Sequence, residues 1–478
     1  MVIRQVSVYI IMVSTVLVVV SALTFFMLGY TLKDGKLEQN AFLQFNSNPS
    51  NATVAVDGTV INSKTPSKTK LPAGKHKVAM WRDGYETWNK SVDLKSGTLT
   101  WLNYTLLIPK SLTVESVMKF DSLASTLSSV KGSYMIIQKS SDKPTLDLID
   151  FTSENIKSKS ISIPSNIYSD PNTVGVKHKF TIEKWDDGER YVLINHTFGD
   201  KGEWLVMDTQ GDNSVKNISK SLNVSIDRIV FYGTNGNSFY ALNNGDVRKL
   251  DLSAGTISKP LVSNVVSFEI YNDSKVITYL GTASSTNGEK VVGVYRDGDD
   301  KPTVLKTLPA NDAAPLHIAT SHYFGSDYVA ISVGKKVSVL SGSYPKTTSA
   351  DVNSLRSYAS FEFSQDVASL SFSPSGEYVF TQSDKYFSSY DLEHQQQASS
   401  TMEGESVTPS FKWLDGNHIW SSKDGKLTIR EFDGENSHLI NTAVAGQDIS
   451  MTNSGRYIYS LGSTKTGYQL QRVRMILP

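Results

Sequence analysis

Histidine and acidic side chains are the first candidates for chemistry, because imidazole and carboxylate groups bind metal ions and transfer protons. Of the eight histidines, only His317 and His322 lie close in sequence, at a spacing that suits neither one helix face nor one strand face. Acidic turns at 186–189 and 297–300 could hold Ca²⁺ but lack the full spaced set of oxygen ligands. The simpler interpretation is that these acidic residues form tight turns, so the sequence predicts no metal site.

Two short segments contain residue types used in nucleophilic catalysis. Ser128 and Lys131 have the Ser-x-x-Lys spacing, and residues 465–467 read Lys-Thr-Gly, which are two elements of penicillin-binding enzymes. Both segments lie on predicted hairpins, and the helical subdomain that this chemistry requires has no counterpart in the pattern. We therefore interpret both matches as coincidental. Gly-x-Ser-x-Gly, His-Glu-x-x-His and phosphate-binding glycine motifs do not occur in the sequence.

Composition limits the classes of partner. The chain has 478 residues, of which 39% are hydrophobic, so it is long enough for two or more packed units. Lysine plus arginine and aspartate plus glutamate both number 47, so no global charge favours nucleic acid. The absence of cysteine excludes disulfides, thiolate nucleophiles and cysteine-bound zinc. No small-molecule cofactor is predicted.

The N-terminal segment contains the longest apolar run. Residues 6–32 carry no charge and exceed the ~20 residues that a helix needs to cross a bilayer, which predicts a transmembrane signal-anchor after a short cytoplasmic segment, 1–5. A cleaved signal peptide and a buried helix are the alternatives. The apolar run continues past the cleavage-like Val20-Ser21-Ala22, which favours the anchor. Residues 33–40 are predicted to form a linker.

Residues 41–109 read as short alternating segments separated by turn residues, which predicts a small β-sandwich. The run 53–56 before Asp57-Gly58 and the run 77–81 before Asp83-Gly84 both indicate hairpins. The aromatic residues Trp81, Trp88 and Trp101 could form a platform for stacking a sugar. Tryptophans on short strands more often pack in a core, and that alternative stays open.

The same segment resembles the PEGA domain, a family of small extracytoplasmic β-modules in prokaryotes. The residues that carry the resemblance are Pro49, Ala52, Val54, Val56, Asp57, Gly58, Thr65, Pro66, Leu71, Gly74, His76, Val78, Gly84, Tyr85, Val92 and Leu94. The chain departs from the family at its signature, where residues 49–52 read Pro-Ser-Asn-Ala, and at Ser63, where glycine is usual. The resemblance implies a surface or spacer module without a catalytic set.

A hairpin pattern recurs along residues 110–478. Its clearest copy is Leu370–Glu393, which has two alternating apolar runs around polar turns. Eight copies have their first turns near Lys131, Asp187, Asn235, Asn272, Gly325, Ser375, Asp415 and Ser454. Eight copies give about 46 residues each, which is close to the ~40–50 of a four-stranded propeller blade.

The repeat therefore predicts an all-β chain in which a β-propeller of seven or eight blades follows the β-sandwich. Residues 373–376, Ser-Pro-Ser-Gly, make the copy at 370–393 similar to WD40- and TolB-like blades. Several β-sandwiches are the alternative fold. The first and last runs of 110–478 could share one blade and close the ring.

We expect a non-catalytic, single-pass membrane-anchored protein of the prokaryotic cell envelope. Its extracytoplasmic propeller would bind a protein or glycan partner or act as a scaffold, because a closed ring presents loops from every blade on one face. The alternative is an extracytoplasmic hydrolase or lyase with its site at the central channel. Converging acids and bases would favour the enzyme, and an aromatic, carboxylate-poor face would favour binding.

Overall fold

The computed structural model describes residues 2–33, 36–170, 173–271, 276–283, 288–344, 355–401, 411–422 and 425–478. The chain forms two compact units. The first contains Met1–Thr113 together with Arg474–Pro478, and the second contains Val114–Val473.

The first unit begins with α1 (Val2–Met27), whose segment Tyr9–Met27 is long and apolar enough to cross a membrane and is not buried by the rest of the protein. The helix ends before Leu32, the predicted limit, because Gly29 adopts a left-handed conformation with φ of 85°. The chain then forms a hairpin of β1 (Tyr30–Lys33) and β2 (Lys36–Gln39). This hairpin includes most of the described residues of the predicted linker, 33–40.

Two sheets follow and pack face to face. Their strands are β3 (Ala41–Asn48), β4 (Thr53–Val56), β5 (Thr59–Val60), β6 (Ser67–Leu71), β7 (Gly74–Trp81), β8 (Trp88–Leu94) and β9 (Leu99–Leu106). One sheet has the order β6-β3-β9, with β3 and β9 parallel, and the other has the order β5-β4-β7-β8. The β4–β5 and β7–β8 pairings confirm the two predicted hairpins.

One hydrophobic core lies between these sheets. Alternation along β3 turns Ala41, Leu43 and Phe45 inward, and all three are fully buried. Leu477 packs against the same core, and its backbone N–H donates to the Tyr85 hydroxyl at 2.7 Å. Residues 474–478 thus belong to this unit, whereas the sequence predicts that they belong to the propeller.

The described residues of the second unit form eight four-stranded antiparallel sheets, numbered I to VIII here. The first four are I (β11 Ser125–Ser128, β12 Tyr134–Gln138, β13 Thr145–Asp150, β14 Lys157–Ser162), II (β15 His178–Trp185, β16 Tyr191–Phe198, β17 Lys201–Asp208, β18 Val215–Asn217), III (β19 Arg228–Phe231, β20 Ser238–Asn243, β21 Asp246–Asp251, β22 Thr256–Ile257) and IV (β23 Val265–Tyr271, β24 Val276–Thr282, β25 Lys290–Arg296, β26 Thr303–Leu308). The short helix α2 (Ile218–Leu222) follows sheet II.

The other four sheets are V (β27 Leu316–Tyr323, β28 Ser326–Val333, β29 Lys336–Gly342, β30 Arg356–Glu362), VI (β31 Ser369–Phe372, β32 Tyr378–Ser383, β33 Tyr386–Asp391, β34 Gln396–Thr401), VII (β35 Lys412–Trp413, β36 His418–Ser421, β37 Lys426–Glu431, β38 His438–Thr442) and VIII (β39 Ser450–Met451, β40 Tyr457–Ser463, β41 Tyr468–Arg474, with β10 Val114–Phe120).

Sheet VIII shows how the unit closes. Its first three strands come from the end of the chain, and the fourth, β10, comes from the start of the unit and pairs with β41 from Val114↔Val473 to Phe120↔Tyr468. This pairing joins the two ends of the repeat in one sheet, as a closed ring requires. The all-β fold with a propeller is confirmed, and the number of blades stays a prediction.

The predicted first turns lie between the first and second strands of their sheets. This holds for Lys131, Asp187, Asn235, Gly325, Ser375, Asp415 and Ser454. Asn272, the remaining predicted turn, lies outside the described residues. The turns could be predicted because each is a local feature of one hairpin.

Candidate functional site

A cavity of about 510 Å³ lies where sheets I, VII and VIII meet at the ends of their first strands. We call it the turn cavity. Its lining consists of 128–132 from sheet I, 412–415 and Trp420 from sheet VII, and 448–453 before and within sheet VIII. The predicted turn residues Lys131 and Asp415 both contribute to this lining, so the repeat itself builds the cavity.

Close packing between turns shapes this face of the propeller. Gly132 has φ of 72°, and a Cβ there would lie 2.4 Å from the Met451 carbonyl oxygen, so only glycine fits. The Ser450 hydroxyl donates to the Gly132 carbonyl at 2.7 Å, which ties sheet VIII to sheet I. Between sheets VI and VII, the Ser375 hydroxyl donates to the Gly416 carbonyl at 3.2 Å.

The two carboxylates of the turn cavity bond to the protein itself. Asp448 accepts the Lys412 ammonium and the Ser128 backbone N–H. Asp415 accepts the backbone N–H of His418 and contacts its imidazole at 2.9 Å. Burial raises the pKa of Asp415, but the charge and hydrogen bonds of His418, with those of nearby backbone groups, outweigh burial and lower that pKa. Both carboxylates are therefore engaged by groups of the protein itself.

The Ser-x-x-Lys match has a structural explanation. The Ser128 hydroxyl donates to the Ile449 carbonyl at 2.7 Å, and the Lys131 backbone N–H donates to Glu189. The Lys-Thr-Gly triplet at 465–467 lies in the turn between β40 and β41, as predicted. Neither segment adopts a nucleophile-and-base arrangement.

The two histidines that lie close in sequence do not converge. His317 Nε2 contacts the Val367 carbonyl at 2.9 Å, and His322 Nδ1 contacts Asp327 at 3.0 Å. Both lie on β27, where a separation of five residues points them to opposite faces. They therefore do not form a metal pair.

Both acidic turns make hydrogen bonds within the protein, Asp186 to the backbone and Asp297 to side chains. Asp186 is buried and accepts the N–H groups of Gly188, Arg190 and Tyr191. Asp297 accepts the Tyr232 hydroxyl at 2.9 Å and the Lys249 ammonium at 3.1 Å.

The three tryptophans do not form one platform. Trp88 is 2% exposed and packs edge to face against Tyr104, with ring centroids 6.3 Å apart. Trp81 lies on the same sheet, whereas Trp101 lies on the other sheet and is 42% exposed. Packing accounts for Trp88, and Trp101 is free to contact another molecule.

A buried chain of side chains in sheet II was missed by sequence reasoning. His178 Nδ1 contacts His196 Nε2 at 3.0 Å, and His196 Nδ1 contacts Glu203 at 2.8 Å. Glu203 also accepts the backbone N–H and hydroxyl of Ser169. Burial raises the pKa of Glu203, but these hydrogen bonds outweigh it and lower the pKa to about 2. The half-buried His178 is thus connected to a buried carboxylate.

The register of β15, β16 and β17 brings these three side chains together. His196 lies directly opposite Glu203, and His178 lies opposite Phe198, one diagonal step from His196. Counting outward from the turn at Gly199-Asp200 would have placed His196 and Glu203 as partners. His178 could not be placed in the same way, because the register of β15 against β16 shifts between Ile182 and Lys184.

A second group of titratable residues lies at the end of the repeat copy in sheet VI. Burial, with the nearby charge of Asp391, raises the pKa of Glu377 to about 7. The Tyr323 hydroxyl donates to Glu393 at 2.8 Å, and His394 contacts Asp391 at 2.9 Å. Glu377 could therefore exchange a proton near neutral pH.

One acidic turn has the chemistry of a cation site. Glu431, Asp433 and Glu435 place one carboxylate oxygen each within 4.8 Å of one another, and oxygen ligands suit Ca²⁺ or Mg²⁺. Glu431 also accepts the side-chain N–H of Asn436 at 2.9 Å, so internal hydrogen bonds serve this turn too. Three acidic residues alone do not show that a metal binds.

Comparison with known families identifies the small sandwich. Residues 42–108 match the PEGA domain. This match confirms the predicted resemblance, and the changed signature at 49–52 leaves both sheets intact. The PEGA match supports an extracellular-type protein. No curated protein matches the chain.

Several solved structures are similar to this chain. They include an oligogalacturonate lyase in complex with manganese (11% identity, TM-score 0.39, covering 75% of this chain and 98% of that one) and a prolyl endopeptidase (12%, 0.47, 75% and 56%). PorZ of Porphyromonas gingivalis, described as an essential bacterial surface component of the type-IX secretion system, is 11% identical with a TM-score of 0.38, covering 73% of this chain and 43% of PorZ. The chain thus spans less than half the length of PorZ. These low scores do not support an enzymatic activity or a particular partner.

Proposed function

We propose that the chain is a non-catalytic, membrane-anchored binding or scaffold protein of the prokaryotic cell envelope, which recognises a protein or glycan through its propeller. The turn cavity carries the proposal. It has polar and apolar lining, and its two carboxylates are bonded internally to Lys412 and His418. Such a surface can contact a ligand without supplying an acid and a base.

The apolar helix of the first unit supports an extracytoplasmic location for the propeller. The apolar segment Tyr9–Met27 would anchor the chain in the membrane, with the bulk of the chain on the extracytoplasmic side. The PEGA domain would then act as a spacer between the anchor and the propeller.

A retention experiment tests this proposal. Chain from residue 41 onward would be immobilised and exposed to solubilised envelope proteins and, separately, to purified cell-wall glycan. Val130 lines the turn cavity and is 64% exposed, so Val130→Asp should weaken retention at least about tenfold, as expected when a charge enters a contact surface. Val304→Asp is the matched control, because Val304 is 49% exposed on the outer strand β26. Equal retention by both variants would remove the turn cavity from the proposal.

The second candidate function is a hydrolase or lyase, and the groups around His178 and Glu377 favour it. A half-buried imidazole backed by His196 and Glu203 has the connectivity of an oriented base. Glycans and peptides would be screened for turnover with the wild-type chain and with His178→Ala and Glu377→Gln. Turnover lost in either variant would establish the enzyme and overturn the non-catalytic proposal.

A further inference from the structure

The hairpin of β1 and β2, directly after α1, has one apolar and one polar face. Leu32 pairs with Leu37, and Thr31 pairs with Glu38. Because alternate residues of a strand point to opposite faces, Tyr30, Leu32 and Leu37 share one face, and Thr31 and Glu38 share the other. We call the first of these the apolar hairpin face.

The apolar hairpin face has no cover within the described protein. Leu32 is 76% exposed and Leu37 is 54% exposed, although adjacent leucines on a strand pair normally pack against a core. Thr31 and Glu38 are also exposed, as expected of polar residues. The hairpin therefore presents its leucines outward without burying them in the PEGA domain.

Contacts with α1 establish the direction of this face. The Tyr30 ring meets the Phe25 ring edge to face, with centroids 5.2 Å apart. Phe25 lies in the last turn of α1 and within the segment able to span a membrane. Because Leu32 and Leu37 share a face with Tyr30, that face is turned towards the end of the helix.

Hydrogen bonds tie the helix end to its surroundings. The Gln39 side chain, from β2, donates to the Leu28 carbonyl at 3.1 Å. The Lys70 ammonium, from β6, donates to the Phe26 carbonyl at 3.3 Å and lies 4.2 Å from the Phe26 ring centre. Both bonds satisfy carbonyls that a helix end leaves free. The Gln39 bond also holds the hairpin beside the last helical turn.

Bilayer dimensions then locate the hairpin. The 19 residues of Tyr9–Met27 extend about 28 Å as a helix, which matches a hydrocarbon core of about 30 Å. Phe25 consequently lies at the boundary of the core, where tyrosine and lysine are favoured. We propose that the apolar hairpin face inserts into the interfacial layer of the outer leaflet, with lipid covering Leu32 and Leu37. This inference rests on the proposed membrane anchor.

Site-specific fluorescence tests the proposal, and the absence of cysteine in the chain makes labelling specific. Full-length variants Leu32→Cys, Leu37→Cys, Glu38→Cys and Val18→Cys would be labelled with the fluorophore NBD. Each would be reconstituted into phosphatidylcholine vesicles that contain a spin-labelled quencher lipid. Glu38 is the matched control for Leu37, since it is the next residue on the same strand and lies on the opposite face.

Labels at Leu32 and Leu37 should emit at shorter wavelength and be quenched at least about threefold more than the label at Glu38, because interfacial insertion is ~5–10 Å deep. Equal quenching at Leu37 and Glu38, with strong quenching at Val18, would overturn the lipid assignment and leave the anchor intact. No quenching at Val18 would instead remove the anchor and this inference with it. If shielding at Leu37 disappears at one chain per vesicle, a second copy covers the face and the assignment to lipid is wrong.

Discussion

The PEGA domain and the propeller bury their apolar side chains in different ways. The PEGA domain has one cluster between two sheets, to which nearly every strand and Leu477 contribute. The propeller has several clusters, and each combines residues from neighbouring sheets: Phe239 of sheet III packs with Leu193 of sheet II, and Phe151 beside sheet I packs with Tyr459 of sheet VIII. The single core makes the PEGA domain one cooperative unit. The separate clusters distribute the stability of the propeller over many interfaces between sheets.

The largest expected effect comes from opening the single core. Trp88→Ala should destabilise the PEGA domain by about 3–5 kcal/mol, since a buried tryptophan leaves a large cavity. Hydrogen exchange should rise throughout residues 41–109. Trp101→Ala is the control, because Trp101 is 42% exposed and its loss should change stability by less than about 0.5 kcal/mol. If Trp88→Ala raised hydrogen exchange only in β8 and its neighbours, the PEGA domain would not have a single cooperative core.

The matched change in the propeller is Phe239→Ala. Phe239 is fully buried, so the cost should be about 3 kcal/mol. Faster hydrogen exchange should be concentrated in sheets II and III, because its cluster joins these two sheets. Uniformly faster exchange across Val114–Val473 would show that the propeller opens as one unit and would erase the contrast with the PEGA domain.

Ring closure can be strengthened with a disulfide. Val114 and Val473 are partners in the β10–β41 pair, and antiparallel partners have Cα atoms about 4.5–5.5 Å apart, within disulfide range. Val114→Cys with Val473→Cys should raise propeller stability by about 2 kcal/mol when oxidised, since long loops lose much entropy on crosslinking. The reduced form of the same variant is the control in thermal unfolding. Failure to oxidise would contradict the β10–β41 pairing.

Acid should weaken the propeller through Glu203. Its pKa is about 2 in the folded protein and 4.5 in the unfolded reference, so its stabilisation is present above pH 4.5 and is lost as pH falls through 2. After allowance for solvent screening, the loss should be about 2 kcal/mol. Denaturant unfolding from pH 5 to pH 2 measures it, and Glu203→Gln should flatten this dependence. If the unfolding free energy of Glu203→Gln depended on pH as steeply as that of the wild type, the hydrogen bonds to Glu203 would not persist in solution.

The smallest effect should come from His76 in the PEGA domain. Burial lowers the pKa of His76, but its hydrogen bonds to Asp57 (2.7 Å) and the Pro72 carbonyl outweigh burial and raise that pKa. The stabilisation is therefore complete below the unfolded pKa near 6.5 and is lost as pH rises through the higher folded value. Unfolding monitored from pH 5.5 to 8.5 should show this decline in the wild type and not in His76→Gln. A rise in stability with pH would reverse the assigned direction.

Local sequence determined much of this protein. Uncharged residues 6–32 predicted the apolar helix, Asp57-Gly58 predicted a hairpin, and the spacing of turns such as Ser375 and Asp415 predicted repeated β-sheets. These features depend on residues close in sequence, through backbone preferences and the two-residue period of a strand. The linker at 33–40 was predicted without the hairpin of β1 and β2, because that hairpin depends on the Gly29 turn that ends α1.

Only tertiary structure could decide the sites. The hydrogen bond between Arg472 and Glu115 joins residues 357 apart, and the turn cavity gathers side chains from sheets I, VII and VIII. The His178–His196–Glu203 chain depends on strand register, which alternation alone does not specify to the residue. Sequence determined which strands and turns form, because these depend on the backbone preferences of residues close in sequence. Closure of the ring decided which of their side chains meet, because that depends on packing between distant sheets.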